Sequence, residues 1–184
     1  MPGVPERLLT QASQARRENR LADARRALVE AVDLCRKAGS RAELAKALTG
    51  LGQIERDLHR REVALQHYEE AVAIYRAEGD VLMLAHSIRH VADIHLDEGR
   101  AELAEPHYHE ALNLYRSHEQ TPPLDLANAI RGLAILTHDA GRTDEARLLW
   151  QEARDLYAVV NVEAGVAESS RRLALLAQKT GQAE

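Results

Sequence analysis

Apolar residues recur along the chain at helical spacing. Leu44, Leu48, Leu51, Ile54 and Leu58 mark one segment, and Ala64, Tyr68, Ala71, Ile74 and Tyr75 the next. Residues three and four apart share one face of an α-helix, whereas strands alternate with period two, and no segment does so. The pattern also repeats. LAKALTGLGQIERDLHRREVALQHYEEAVAIYRAEGD starts at Leu44, LAHSIRHVADIHLDEGRAELAEPHYHEALNLYRSHEQ at Leu84 and LANAIRGLAILTHDAGRTDEARLLWQEARDLYAVVNV at Leu126, offsets of 40 and 42 residues. The two extra residues fall in the connection holding Thr121, Pro122 and Pro123. Val166 opens a further copy, and residues 6–40 form a first copy with a degenerate opening helix. Such self-similarity signals stacked helical units.

Each unit reads as two helices. Asn19, His59, Gly99, Gly141 and Gly181 stand at the same place inside successive units. All three residue types are enriched where a helix ends in the left-handed region, glycine because it meets no steric cost there. Gly39-Ser40, Gly79-Asp80 and Pro122-Pro123 mark the longer breaks between units. About nine helices are expected, with second helices near 61–78, 101–117 and 143–159. The whole of 1–184 is expected as one domain with repeats at 6–40, 41–80, 81–120 and 124–162. Residues 163–181 would form a capping helix, where Arg171, Arg172, Gln178 and Lys179 meet water beside Leu173, Leu175 and Leu176.

Small and aromatic residues fall into register as well. Ala12, Gly52, Ala92, Ala134 and Ala174 share one column. Ala24, Ala64, Ala104 and Ala146 share a second, and Ala31, Ala71, Ala111 and Ala153 a third. Small side chains at fixed places let helices approach to about 8–10 Å. Tyr68, Tyr108 and Trp150 occupy one aromatic column and Tyr75, Tyr115 and Tyr157 another, with Leu28 and Cys35 in those places in the first unit.

These residues carry a family resemblance. A first helix with Leu-Gly or Leu-Ala, a Gly-type turn, then Ala, an aromatic four later and Ala three after that resembles the tetratricopeptide repeat. Leu133-Ala134, Gly141, Ala146, Trp150 and Ala153 are the clearest instance, followed by Val91-Ala92, Gly99, Ala104, Tyr108 and Ala111. The period of 40–42 resembles the longer version of kinesin light chains and bacterial regulatory proteins, as does the Glu105-Pro106 step. The family's consensus Trp of the first helix and Pro after the second are missing. The resemblance implies an all-α, right-handed solenoid of antiparallel helix pairs, in which each pair buries its apolar face against its neighbours. It also implies a protein–protein interaction module rather than an enzyme.

Composition narrows the function. Lys and Arg number 24 against 29 Asp and Glu, a formal charge of −5, which argues against a dedicated nucleic-acid binder. A lone cysteine excludes an intrachain disulfide framework, and Cys35 takes the place of a packing tyrosine. No run approaches the roughly eighteen apolar residues of a membrane span, and the N-terminus has no apolar signal core. A soluble, cytoplasmic protein is therefore expected. The excess of Arg over Lys points to a GC-rich, bacterial genome. The signatures GxSxG, GxxxxGK[ST], HExxH and the EF-hand loop do not occur, and Gly50-Leu51-Gly52 lies within a helix with no preceding strand. No catalytic residue and no cofactor is expected.

Two sets of residues remain as candidates. Of nine histidines, His86, His90, His95, His107, His109 and His118 lie in the third unit, where seven acids face three arginines between 84 and 120. His86 and His90 are four apart, with Asp93 three later. One helix face thus presents two imidazoles and a carboxylate, a weak candidate for metal binding or for a pH response.

The second set follows from the family's geometry, in which first helices line a concave groove. That geometry puts Lys46, Thr49, Gln53 and Arg56, then His86, Arg89, His90 and Asp93, then Asn128, Arg131 and His138, then Glu168, Arg171 and Arg172 on the inner face. Arg89, Arg131 and Arg171 share a column, a ladder of guanidinium groups suited to carboxylate or phosphate. Gly50 and Gly132 at one groove position point either to a backbone left open for a ligand or to close helix packing. The residues do not reproduce the Lys, Asn and Arg set with which some family members clamp a C-terminal carboxylate. The expected ligand is an acidic peptide segment of a partner protein, held by Lys46, Gln53, Arg56, His86, Arg89, His90, Asn128, Arg131, Arg171 and Arg172. The alternatives are a homo-oligomeric scaffold, such as a homodimer, and a histidine-based metal or pH sensor.

Overall fold

The computed structural model describes residues 3–180. Among them are nine α-helices and no strand: α1 (Val4–Arg17), α2 (Leu21–Ala38), α3 (Arg41–Asp57), α4 (Arg61–Glu78), α5 (Val81–Asp97), α6 (Ala101–Ser117), α7 (Pro123–Asp139), α8 (Thr143–Val159) and α9 (Glu163–Thr180). The fold class is the all-α stacking of tetratricopeptide-like helix pairs. The second helices start and stop where the repeat register places them.

The turns explain the register. Asn19, His59, Gly99 and Gly141 all have positive φ, from 56° to 76°. At each one the chain closes the preceding helix with the same pair of bonds. After α3, the His59 N–H donates to the Arg56 carbonyl at 2.9 Å and the Arg60 N–H to the Glu55 carbonyl at 2.8 Å. After α5, Gly99 donates to Leu96 at 2.9 Å and Arg100 to His95 at 2.8 Å. These bonds satisfy carbonyls that a helix end leaves unpaired. Asn161, which the register did not single out, closes α8 in the same conformation with φ 56°. Gly181, expected in the fifth such turn, and the end of the expected cap lie outside the described residues.

The chain divides into two compact units, residues 1–91 and 92–184. The first holds α1 to α4 and the opening of α5, the second the remainder. In the first, Ala24, Ala31, Cys35, Ala64, Ala71 and Tyr68 are wholly buried, and Leu28 and Tyr75 nearly so. In the second, Ala104, Ala111, Ala146, Ala153, Tyr108 and Trp150 are wholly buried. All six aromatic side chains are core, and burial pushes the Tyr75 hydroxyl and the Cys35 thiol above their ordinary pKa values. Ala174 departs from its column and is exposed on α9.

One packing rule recurs within both units. The first aromatic column leans on a fixed position of the next repeat's first helix. Leu28 meets Gly50, where an added Cβ would lie 2.8 Å from its Cδ2. Tyr68 stacks on His90 with ring centroids 4.9 Å apart and planes at 18°. Tyr108 covers Gly132, where a Cβ would lie 2.3 Å from Cζ. Trp150 lies under the Arg172 guanidinium at 5.7 Å. Gly132 is therefore closed by a tyrosine, and of its two expected uses the structure takes the packing one.

Candidate functional site

In the first unit, α1, α3 and the start of α5 enclose an open pocket of about 310 Å³. Its floor is apolar, made by Leu9, Ala12, Leu28 and Met83, with Gly50 giving depth because it carries no side chain. Its polar residues are Ser13, Arg16, Lys46, Thr49, Gln53 and His86. Lys46 is exposed and makes no ion pair among the described residues, so its charge stands open to a ligand.

A chain of polar contacts runs along one side of this pocket. Asp57 accepts from Arg16 Nε at 2.7 Å. Arg16 Nη1 lies 3.4 Å from Gln53 Oε1, and Gln53 Nε2 lies 3.5 Å from His86 Nε2. His86 Nε2 stands 3.2 Å from His90 Nε2, with the two rings edge to face at 4.6 Å. Two guanidinium groups then flank His90: Arg56 Nη1 at 2.8 Å from Nδ1 and Arg89 Nη2 at 2.9 Å from Nε2. His90 and Arg89 are buried behind the half-buried His86. The Thr49 hydroxyl bonds back to the Ala45 carbonyl at 2.9 Å and lies 3.4 Å from the Tyr75 hydroxyl, so it serves the wall more than the opening.

The remaining predicted residues belong to the second unit. Asn128 Oδ1 accepts the Tyr157 hydroxyl at 2.8 Å. Arg131 forms a two-pronged pair with Glu168, Nε to Oε2 at 2.6 Å and Nη2 to Oε1 at 2.9 Å. That bonding holds the Glu168 carboxyl below its ordinary pKa and raises that of Arg131. Arg171 is exposed, and Arg172 rests on Trp150. The column of Arg89, Arg131 and Arg171 thus holds three different situations: one buried beside a histidine, one matched to a carboxylate, one in solvent.

His86 and His90 do meet, but Asp93 Oδ1 accepts the Tyr108 hydroxyl at 2.8 Å. Among the described residues no three His, Cys, Asp or Glu side chains are grouped to hold a metal ion. Arg16, Leu9 and Met83 were not among the predicted site residues. Arg16 was within reach of the repeat register, since it stands 40 residues before Arg56.

The tetratricopeptide repeat model matches residues 6–77. Residues 6–77 are tetratricopeptide repeats. Tetratricopeptide repeats are in general a non-catalytic, protein-interaction fold. Solved structures extend the likeness of fold over most of the chain. BtubC (BKLC) from P. vanneervenii is 20% identical with a TM-score of 0.72, over 82% of this chain and 61% of that one. The apo form of RapI is 12% identical with a TM-score of 0.80, over 90% and 60%. The nearly identical TPR-like repeats of a protein described as a kinesin light chain, from Podosopora anserina, are 19% identical with a TM-score of 0.73, over 99% and 90%. The chain thus spans about three fifths of the length of the first two. No curated protein matches it in sequence. No helix among the described residues is long and apolar enough to cross a membrane.

Proposed function

We propose that this tetratricopeptide-repeat chain is a non-catalytic, cytoplasmic adaptor that binds a peptide segment of a partner protein. The peptide lies on the face formed by α1, α3 and α5 of the first unit. The observation that carries this reading is the pocket there, with an apolar floor for one or two side chains and cationic groups at its opening. Lys46, Arg16 and the arginines behind His90 favour a peptide of acidic character, because complementary charge steers encounter and fixes register. Gln53 and His86 are placed to bond the peptide backbone. In the second unit, Arg171 and Arg172 on α9 are the groups open to further acidic contacts, whereas Asn128 and Arg131 already have partners.

The test is affinity capture from the native cell extract with the wild-type chain and with Lys46→Glu, which reverses an exposed charge without touching the core. A partner retained by the first and reduced at least fivefold by the second supports the reading. Equal retention of every captured protein by both sinks it. A second reading, the homo-oligomeric scaffold, draws on Leu148 and Val159 of α8, which are 66% and 70% exposed. A monomeric mass in solution at micromolar concentration would remove it.

A further inference from the structure

We infer that the exposed face of α9 is a docking site for an amphipathic helix of a partner protein, one that repeats the small-and-aromatic pattern of this chain's own second helices. The site belongs to the second unit and does not depend on the pocket of the first. Five positions of a first helix form the face that its second helix covers. In α3 they are Ala45, Leu48, Leu51, Gly52 and Glu55, and in α7 Ala127, Ile130, Leu133, Ala134 and Thr137, all buried. The repeat register puts Ala167, Ser170, Leu173, Ala174 and Ala177 at the same five positions of α9. There Leu173 is half-buried and the other four are exposed. Residues three and four apart share one side of a helix, so α9 turns to solvent the side that α3 and α7 bury. Leu149 of α8 and Leu173 pack on the cluster of Ala134, Ala146, Trp150 and Leu176 and stay half-buried at its edge.

The earlier repeats define what fits such a face. α4 covers α3 with Ala64, Tyr68, Ala71 and Tyr75, all buried. A Cβ on Gly52 would stand 2.8 Å from the Tyr68 ring, and the Tyr75 hydroxyl lies 3.4 Å from Thr49 Oγ1. α8 covers α7 with Ala146, Trp150, Ala153 and Tyr157, and Ala146 and Trp150 share one cluster with Ala134. Ala174 holds the place of Gly52 and Ala134. A helix seated on α9 therefore brings an aromatic ring to Ala174, with a small residue four positions before it and another three after. Burying that ring supplies the apolar area, and the small residues let the two helices approach closely. A second copy of this chain has no such helix to offer, because Tyr68, Tyr108 and Trp150 are already wholly buried. Charge sets the flanks of the incoming helix. Where α2 and α6 bury Val32 and Leu112, α8 carries the half-exposed Arg154, bonded to the adjoining Asp155. On α9 the exposed Arg171 lies one turn before Ala174, and Glu168 is held by Arg131. Acidic residues beside the aromatic stripe complement Arg154 and Arg171.

The experiment uses the full chain and a synthetic peptide of residues 61–78, the 18-residue sequence of α4, which carries the pattern with four glutamates against two arginines. A control peptide has alanine in place of both tyrosines. Backbone NMR follows the amides of α9 during titration. The expected result is a saturable shift at Ala167, Ser170, Ala174 and Ala177 with the α4 peptide, and an affinity lower by about tenfold with the control, the effect of removing buried aromatic anchors. Ala174→Arg, at an exposed position, should abolish the shifts along α9 with helicity by circular dichroism unchanged. Ala42→Arg, the same change at an exposed alanine of α3, should leave them in place. The docking site is overturned by shifts confined to the first unit, by equal affinity for the two peptides, or by shifts that persist in Ala174→Arg. Shifts of the α9 amides that grow with protein concentration in the absence of peptide would assign the face to a second copy and overturn it too. Capture unchanged by Lys46→Glu sinks the first-unit pocket and leaves this site, so the two readings fail separately.

Discussion

At residue 132 the chain gives up a side chain inside a helix so that Tyr108 can lie flat against the backbone. Glycine there costs about 1 kcal/mol of helix propensity relative to alanine, so alanine would be favoured if nothing else acted. The packing decides otherwise. A Cβ would stand 2.3 Å from Tyr108 Cζ and 2.5 Å from its hydroxyl oxygen. That ring is buried, and its hydroxyl is bonded to Asp93. Gly132→Ala should therefore destabilise the second unit by about 1–3 kcal/mol, the usual cost of overpacking, read as a lower urea midpoint. An unchanged or higher midpoint would mean that Tyr108 moves aside freely. The repeat register located Gly50 and Gly132 but could not say what faced them. That answer lies in the next column over, where Leu28 and Tyr108 stand, and needed the crossing of helices from successive repeats.

At the scale of the helix, the same turn is built four times from three kinds of residue. Gly99 and Gly141 enter the left-handed region freely, whereas Asn19 and His59 carry a Cβ there. His59 is exposed and its backbone sits at φ 60°, with both capping bonds in place. His59→Gly should remove the strain of a β-carbon in that region, which is about 1–2 kcal/mol, less the extra freedom it gives the unfolded chain. A net gain of about 0.5–1 kcal/mol is expected, seen as a rise in Tm of a few degrees. A loss would mean that the imidazole contributes contacts of its own. This level was the most legible in the sequence, because one backbone demand ties together residues otherwise unlike one another. Asn161 was missed because it falls between units, where the connection lengths vary.

Across the molecule, arginine joins one repeat to the next. In the first unit Arg16 pairs with Asp57, Arg25 with the fully buried Glu55 and Arg36 with Glu70; in the second Arg116 pairs with Glu152, Arg131 with Glu168 and Arg142 with Glu105. Arg36 and Arg116 hold the same register two repeats apart, as do Glu70 and Glu152, so the pairing was legible to anyone aligning charges as well as apolar residues. Sequence alone favoured the groove for Arg131 because the register gives position without partners, and the acid that occupies it comes from α9. Apart from the one at buried Glu55, the pairs are half-exposed, so each of those contributes at most about 1 kcal/mol and is screened by salt.

Stability should then fall in two steps on acidification. His67, which burial chiefly holds below its ordinary value of 6.5, binds a proton more readily in the unfolded chain. Stability contributed by its neutral form is present above pH 6.5 and lost as pH falls below it. Glu168, held below 4.5 first by its bond to Arg131, contributes stability present above pH 4.5 and lost as pH falls through the carboxylate range. Tm measured from pH 8 to 3 should decline in both windows. His67→Gln should remove the first decline and Glu168→Gln weaken the second, and added sodium chloride should lower Tm at pH 7. A Tm indifferent to salt and flat down to pH 4 would show that helix packing alone carries the fold and that the arginine pairs add nothing to it.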